Sequence, residues 1–210
     1  MKFASQTTTI EILSFVFYSH KGSNTMALTE STMLSLGSAA PAFALPEVIS
    51  GNIVRLDDFR GADALVVMFI CAHCPYVKHV EQGLAAFGKD YLDKPVGIVA
   101  ISSNDAIAHR DDAPEYLRRQ AENCGFTFDY LYDETQDVAK AYEAACTPDF
   151  FLFDSEMRLV YRGQFDASRP GSNIPVTGQD LRAALDAVLA GKPVSPDQKP
   201  SIGCSIKWKE

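Results

Sequence analysis

Cys71 and Cys74 are separated by Ala72 and His73. A thiol attacks a disulfide as its thiolate. An ordinary cysteine titrates near about 8.5, so most of it is the inert thiol at neutral pH. At this spacing the second thiol can resolve a mixed disulfide made by the first. His73 lies between them, and an imidazolium there would lower a neighbouring thiol's pKa. Metal ligation is the other chemistry open to such a pair. Zinc takes four ligands; Cys71, Cys74 and His79 are three, and the chain holds no second Cys-x-x-Cys. Two buried core cysteines are the plain structural alternative.

The elements around the pair favour redox chemistry. Residues 64–70 are continuously apolar and partly β-branched, the pattern of a buried central strand. After the pair, Val77, Val80, Leu84, Ala85, Phe87 and Gly88 recur at helical spacing, and Pro75 stands where a first turn tolerates proline. A helix N-terminus offers unpaired N–H groups and partial positive charge, which stabilise a thiolate. Strand, Cys-x-x-Cys and helix in sequence read as a thiol redox site. Cys71, nearer the strand end and expected to be the more exposed, is assigned as the attacking thiol, with Cys74 resolving.

Further elements follow from periodicity and turn chemistry. Residues 42–45 and 53–56 form a hairpin across Ser50-Gly51-Asn52, and residues 96–101 a second buried strand. Residues 114–123 form a helix closed by Gly125, 126–132 an extended segment, and 135–145 a helix. Strands at 150–153 and 158–161 and a helix at 179–189 complete the body. The order β-β-β-α-β-α-(β)-α-β-β-α predicts an α/β fold whose sheet is covered on both faces. The expected organisation is a disordered or spurious leader at 1–34, a body at 35–190 and a tail at 191–210. Met26 and Met33 are alternative starts. In the tail, Ile202, Cys204, Ile206 and Trp208 alternate with polar or small residues, so it should dock on the body as a strand.

The chain has 210 residues and a formal net charge of −8, with its basic residues scattered among acids. That balance argues against nucleic acid or an anionic membrane as partner. No apolar run reaches the length of a membrane span. Five cysteines, an odd and low count, suit a cytoplasmic chain with one reactive pair better than a disulfide scaffold. No motif calls for a cofactor, and the sequence does not set an oligomeric state.

The stretch Phe69-Ile70-Cys71-Ala72-His73-Cys74-Pro75-Tyr76 resembles the active-site segment of the thioredoxin superfamily. Residues 40–46 and Leu56-Asp57-Asp58-Phe59-Arg60-Gly61 resemble the opening of its peroxiredoxin (AhpC/TSA, redoxin) branch, and residues 147–154 resemble a cis-proline loop and the strand after it. With residues 170–178 and Ile202-Gly203-Cys204, residues 35–210 are similar to the peroxiredoxin-like thioredoxin-family proteins of bacteria. The resemblance implies a thioredoxin-like fold: a central mixed sheet flanked by helices, with an N-terminal hairpin and a C-terminal extension. It implies a cis Thr147-Pro148 bond beside the cysteines, with the Thr147 backbone open to an extended substrate. The site residues are then Cys71, Cys74, His73, Thr147 and Pro148. The substrate is a protein or small-molecule disulfide or dithiol, and peroxide is the alternative oxidant.

This sequence departs from both patterns. The peroxiredoxin Pro-x-x-x-Thr-x-x-Cys, aligned on Cys74, meets Val67 and Cys71 instead of proline and threonine, and its arginine position falls at Pro148. Thioredoxin's tryptophan and upstream buried acid are replaced by Ile70 and Leu65. These departures favour disulfide exchange over peroxidase chemistry, while a metal-binding or redox-sensing module remains a third reading. Cys124, Cys146 and Cys204 are expected to be packed small hydrophobes; a third redox thiol is the sharper reading for Cys146, and a tail-to-site disulfide for Cys204. His79 is expected beside the site or on the helix surface, and Asn104-Asp105 at a strand end. His20 and His109 carry no signal.

Overall fold

The computed structural model describes residues 28–210. Leu28–Glu30 (β1), Ala44–Pro46 (β2) and Ile53–Arg55 (β3) come first. Ala64–Phe69 (β4) leads into Pro75–Asp90 (α1), Val96–Ser102 (β5) into Pro114–Cys124 (α2), and Asp129–Tyr132 (β6) into Asp137–Ala141 (α3). Cys146–Thr147 (β7), Asp149–Asp154 (β8), Leu159–Gly163 (β9), Gln179–Leu189 (α4) and Ile202–Ser205 (β10) follow.

The central sheet runs β6-β5-β4-β8-β9. β4, β5 and β6 are parallel; β8 and β9 are antiparallel additions. Successive β4 side chains point to opposite faces, and both faces are covered. Ala64, Val66 and Met68 pack with Leu84 and Phe87 of α1, Leu117 of α2, and Leu181 and Leu185 of α4. Leu65, Val67 and Phe69 pack with Val138 and Ala139 of α3 and with Phe43 and Leu45 beside the β2–β3 hairpin. This explains the unbroken apolar run: neither face of the strand meets water. Each large side chain so buried contributes about 1.5–3 kcal/mol.

The register places the chemistry. In the antiparallel β4–β8 pair, Phe69 faces Asp149. The segment just after β4, which carries Cys71, therefore lies beside the segment just before β8, which carries Thr147 and Pro148. Pro75 occupies the first turn of α1 with Cys74 as its N-cap, so the helix starts at the second cysteine.

Three sequence expectations are corrected. Residues 28–30, assigned to the leader, form β1, because the far edge of β10 offers unpaired backbone groups that β1 takes up. Residues 1–27, which carry most of the expected leader, His20 and Met26, lie outside the described residues. The helix expected over 135–145 stops at Ala141: Glu143 takes a positive φ of 52°, turning the chain so that Cys146 and Thr147 reach the edge of β10. The tail docks on the body and Cys204 and Ile206 are buried, but the strand ends at Ser205 and Trp208 is 42% exposed.

Candidate active site

Thr147-Pro148 is a cis peptide bond. It sets the Thr147 side chain against the first cysteine and its carbonyl against the second. Cys71 Sγ lies 3.4 Å from Thr147 Oγ1, and Cys74 Sγ lies 3.2 Å from Thr147 O. The five residues proposed from sequence thus meet at one junction of β4, α1 and β8, with His73 on its outer side.

Both cysteines are fully buried. The greater exposure expected of Cys71, which carried its assignment as the attacking thiol, is absent. Hydrogen bonding distinguishes the two sulfurs instead. Hydrogen bonding with the Cys204 thiol, then with the Cys71 thiol, holds the Cys74 pKa far below the ordinary thiol value despite burial. The N–H groups of Val77 and Cys204 add to this. Val77 is the third residue of α1, so an N-cap sulfur is reached by one of the helix's unpaired donors. The Thr147 carbonyl opposes these donors, since only a protonated sulfur bonds to it, but it is one acceptor against several donors. Cys71 moves the other way: burial pushes it up, and its hydrogen bond to Cys74 and the charge of Asp112 add to that.

His73 is fixed from below by Asp112, a carboxylate with no solvent exposure. Asp112 Oδ1 accepts the backbone N–H of Ala72 at 2.8 Å and of His73 at 3.0 Å. Its Oδ2 pairs with the His73 ring Nδ1 and accepts from Asn104 Nδ2 at 2.7 Å. One carboxylate therefore shapes the loop between the cysteines and holds the imidazole. The Asp112 hydrogen bond raises the His73 pKa against the effect of burial. Burial pushes Asp112 up, but the hydrogen bonds from His73 and Asn104 outweigh it and hold its pKa low. The His109 ring stacks on His73, with centroids 5.7 Å apart and planes 9° from parallel. Gln120 donates through Nε2 to Cys71 O at 3.4 Å, and its Oε1 accepts from Tyr130 OH at 3.3 Å.

The tail completes the site. β10 pairs with β7 so that Cys204 faces Thr147 and Ser205 faces Cys146. Cys204 Sγ lies 2.7 Å from Cys74 Sγ. The Thr147 backbone, expected to be open to a substrate, is thus covered by the protein's own strand. Cys146 is buried, but its sulfur turns to Pro148 O at 3.6 Å. Burial and the Asp149 charge push its pKa up, as befits an inert thiol. Cys124 is half-buried on α2, and burial pushes it up to about 11. No disulfide joins the cysteines among the described residues.

His79 takes no part in the cluster; its Nε2 pairs with Ser168 Oγ at 2.7 Å. The donor atoms that do converge, within 4.8 Å of one another, belong to Cys71, His73 and Asp112. The sequence flagged Asn104 at its strand end and named the Cys204 contact. It gave no sign of Asp112, which reads as part of a helix approach, nor of Gln120 or His109.

A mixed sheet with a Cys-x-x-Cys between its central strand and a helix, closed by a cis-proline loop, defines the thioredoxin fold. The chain belongs to the AhpC/TSA family, whose model matches residues 36–162. It is 31% identical over 165 residues to the Mycobacterium tuberculosis (strain CDC 1551 / Oshkosh) protein named "Putative peroxiredoxin MT2597", covering 76% of this chain and 98% of that one. It is 28% identical over 143 residues to the thiol-disulfide oxidoreductase ResA of Geobacillus kaustophilus, covering 64% and 74%. A crystal structure of an uncharacterized conserved protein from Geobacillus kaustophilus superposes with a TM-score of 0.86 at 59% identity, covering 88% of this chain and 97% of that one. Among the described residues no helix is long and apolar enough to cross a membrane.

Proposed function

We propose that this protein is a thiol–disulfide oxidoreductase that cycles Cys71 and Cys74 between dithiol and disulfide. The observation that carries the reading is the meeting of both sulfurs at the cis Thr147-Pro148 loop where α1 starts: Cys71 Sγ lies 3.4 Å from Thr147 Oγ1 and Cys74 Sγ 3.2 Å from Thr147 O. The hydrogen bonds that lower the Cys74 pKa, against burial that raises that of Cys71, support Cys74 as the attacking thiol in place of Cys71. Cys74 attacks a protein or small-molecule disulfide, a Cys74–substrate bond forms, and one substrate sulfur leaves as thiolate. Cys71 then gives up its proton and attacks Cys74 Sγ, the second substrate sulfur leaves, and the Cys71–Cys74 disulfide remains. The substrate gains two electrons and the protein loses two. His73, its pKa raised by its bond to Asp112, stands beside the site as a source of protons for the leaving thiolates. Thr147 and Pro148 position the two sulfurs.

Peroxide as oxidant is the second reading, favoured by the family match over residues 36–162. Against it, the threonine hydroxyl in the site bonds to Cys71 rather than to Cys74, and Pro148 stands where the family's arginine is expected.

The test is a comparison of disulfide reduction and peroxide consumption by the wild-type protein, Cys71→Ser and Cys74→Ser. Exchange activity should vanish in Cys74→Ser, while Cys71→Ser, combined with Cys204→Ser to remove the thiol 2.7 Å from Cys74, should accumulate a mixed disulfide with substrate. The reverse pattern returns the attack to Cys71. Peroxide turnover without disulfide exchange removes the proposal.

A further inference from the structure

The tail brings a third thiol to the pair and holds it there. Gln164 N donates to Lys199 O at 3.0 Å, Ser201 Oγ to Pro148 O at 2.5 Å, and Ile206 N to Ala145 O at 3.1 Å. Lys207 N donates to Asn104 Oδ1 at 2.8 Å. β1 covers the opposite edge of β10, with Leu28 facing Cys204. Between these fixings Cys204 is buried, at 3% exposure, with its sulfur 2.7 Å from Cys74 Sγ. A disulfide needs about 2.05 Å, so bond formation asks for a movement under about 1 Å. The two other cysteines outside the pair offer nothing comparable: Cys146 points its sulfur at a carbonyl, and Cys124 sits on α2. Cys204 also lies on the strand that fills the Thr147 edge, the place on a cis-proline loop where an extended substrate would pair. The tail thus occupies that edge like a built-in substrate, with its thiol beside Cys74.

We infer that Cys204 is a third redox thiol that takes over the disulfide from Cys71, through a Cys74–Cys204 bond. The inference rests on the dithiol reading above. Starting from the Cys71–Cys74 disulfide, Cys204 gives up its proton and attacks Cys74 Sγ. The Cys74–Cys204 bond forms, the Cys71–Cys74 bond breaks, and Cys71 leaves as a thiolate that takes a proton. No electrons enter or leave, so no further oxidant is required. The exchange returns Cys71 to the thiol form and ties β10 covalently across the Thr147 edge. An intramolecular thiol fixed on both flanks acts at a high effective concentration, so the bond should form ahead of mixed disulfides with solvent thiols.

The test is disulfide mapping of the full chain after equilibration with oxidised glutathione, followed by alkylation, tryptic digestion and mass spectrometry. Cys71 and Cys74 share one tryptic peptide, so variants resolve which sulfur is linked. The wild type and Cys71→Ser should both yield an intrachain link from that peptide to the one containing Cys204, and Cys74→Ser should not. Loss of the link in the wild type, with a Cys71–Cys74 disulfide still formed, overturns the inference and leaves the dithiol reading intact. A link that persists in Cys74→Ser overturns it as well, since Cys71 would then be the partner. If the wild type forms no disulfide at Cys71 or Cys74 and reduces no substrate, the dithiol reading fails and takes this inference with it. The wild-type result stands even if a variant folds poorly.

Discussion

Gly203 packs on the Thr147 carbonyl so closely that a Cβ at residue 203 would stand 2.0 Å from the oxygen and 2.6 Å from the carbon. Both obstacles are backbone atoms fixed at the cis-proline loop, so no side chain can swing aside. Only the absence of a side chain lets β10 approach far enough to put Cys204 on Cys74.

Gly203→Ala should therefore lift the tail strand off the site. The overpacking should cost about 2 kcal/mol and expose Cys74. Amide exchange across residues 201–206 should quicken by at least about tenfold, equivalent to about 1.4 kcal/mol of easier local opening, and Cys74 should alkylate faster. Unchanged exchange and alkylation would show that the tail does not seal the site.

The charge proposed for Cys74 can be read directly. Reduced wild-type protein should show thiolate absorbance at about pH 6, where an ordinary thiol is well under about 1% ionised. Cys74→Ser should abolish it. Cys204→Ser should shift the titration upward, because the hydrogen bond with Cys204 that most lowers the Cys74 pKa is lost. A titration that disappears with Cys71→Ser and survives Cys74→Ser would move the charge to the other sulfur.

The His73–Asp112 pair has a defined pH window. Folding raises the His73 pKa above 6.5, so its contribution is complete below that value and is lost as pH rises through the folded pKa. Folding lowers the Asp112 pKa below 3.8, so its contribution is complete above that value and is lost as pH falls through the folded pKa. Asp112→Asn breaks a buried pair and leaves the loop donors with a poorer acceptor, at a cost of about 3 kcal/mol. The difference in Tm between wild type and variant should be largest between these two values and shrink on the alkaline side. A pH-independent difference would mean that the pair is not charged.

Asp149 gives the opposite slope. It is wholly buried; Oδ1 accepts from Ser31 Oγ at 2.8 Å and from Phe150 N at 3.1 Å, while Oδ2 has no hydrogen-bond partner. Burial pushes its pKa from 3.8 up to about 7. Between those values the folded state keeps a proton that the unfolded chain releases, so stability falls as pH rises from 3.8 to about 7 and is level above. The full fall corresponds to about 4 kcal/mol. Asp149→Asn should flatten this part of a Tm-against-pH curve. An unchanged slope would place the titration elsewhere.

The candidate site was legible in sequence where the chemistry is local. Cys71, His73 and Cys74 share one short segment, and an apolar run followed by helical spacing is enough to place it between a strand and a helix. Thr147 and Pro148 were legible through resemblance. Asp112 was not: its four hydrogen bonds go to residues 8 to 40 positions away in the chain, and a carboxylate before a proline-led helix looks like ordinary approach chemistry. The helix drawn over 135–145 failed for a related reason. Its residues carry helical periodicity, but the demand to bring Cys146 and Thr147 to the edge of β10 outweighs propensity over its last turn.

By itself, then, the sequence determined the α/β order of elements, the buried central strand, the helix that starts at the cysteine pair, and a tail with strand periodicity. These follow from local patterns of side-chain size, polarity and turn chemistry. Only the tertiary structure decided which groups surround each sulfur, what orients His73, and where the tail strand lies. Each of these depends on contacts between distant segments: Cys204 and Cys74 are 130 residues apart in the chain and 2.7 Å apart in the fold. The environment of a buried thiol is set by the donors packed around it, and chain order does not specify which donors those are.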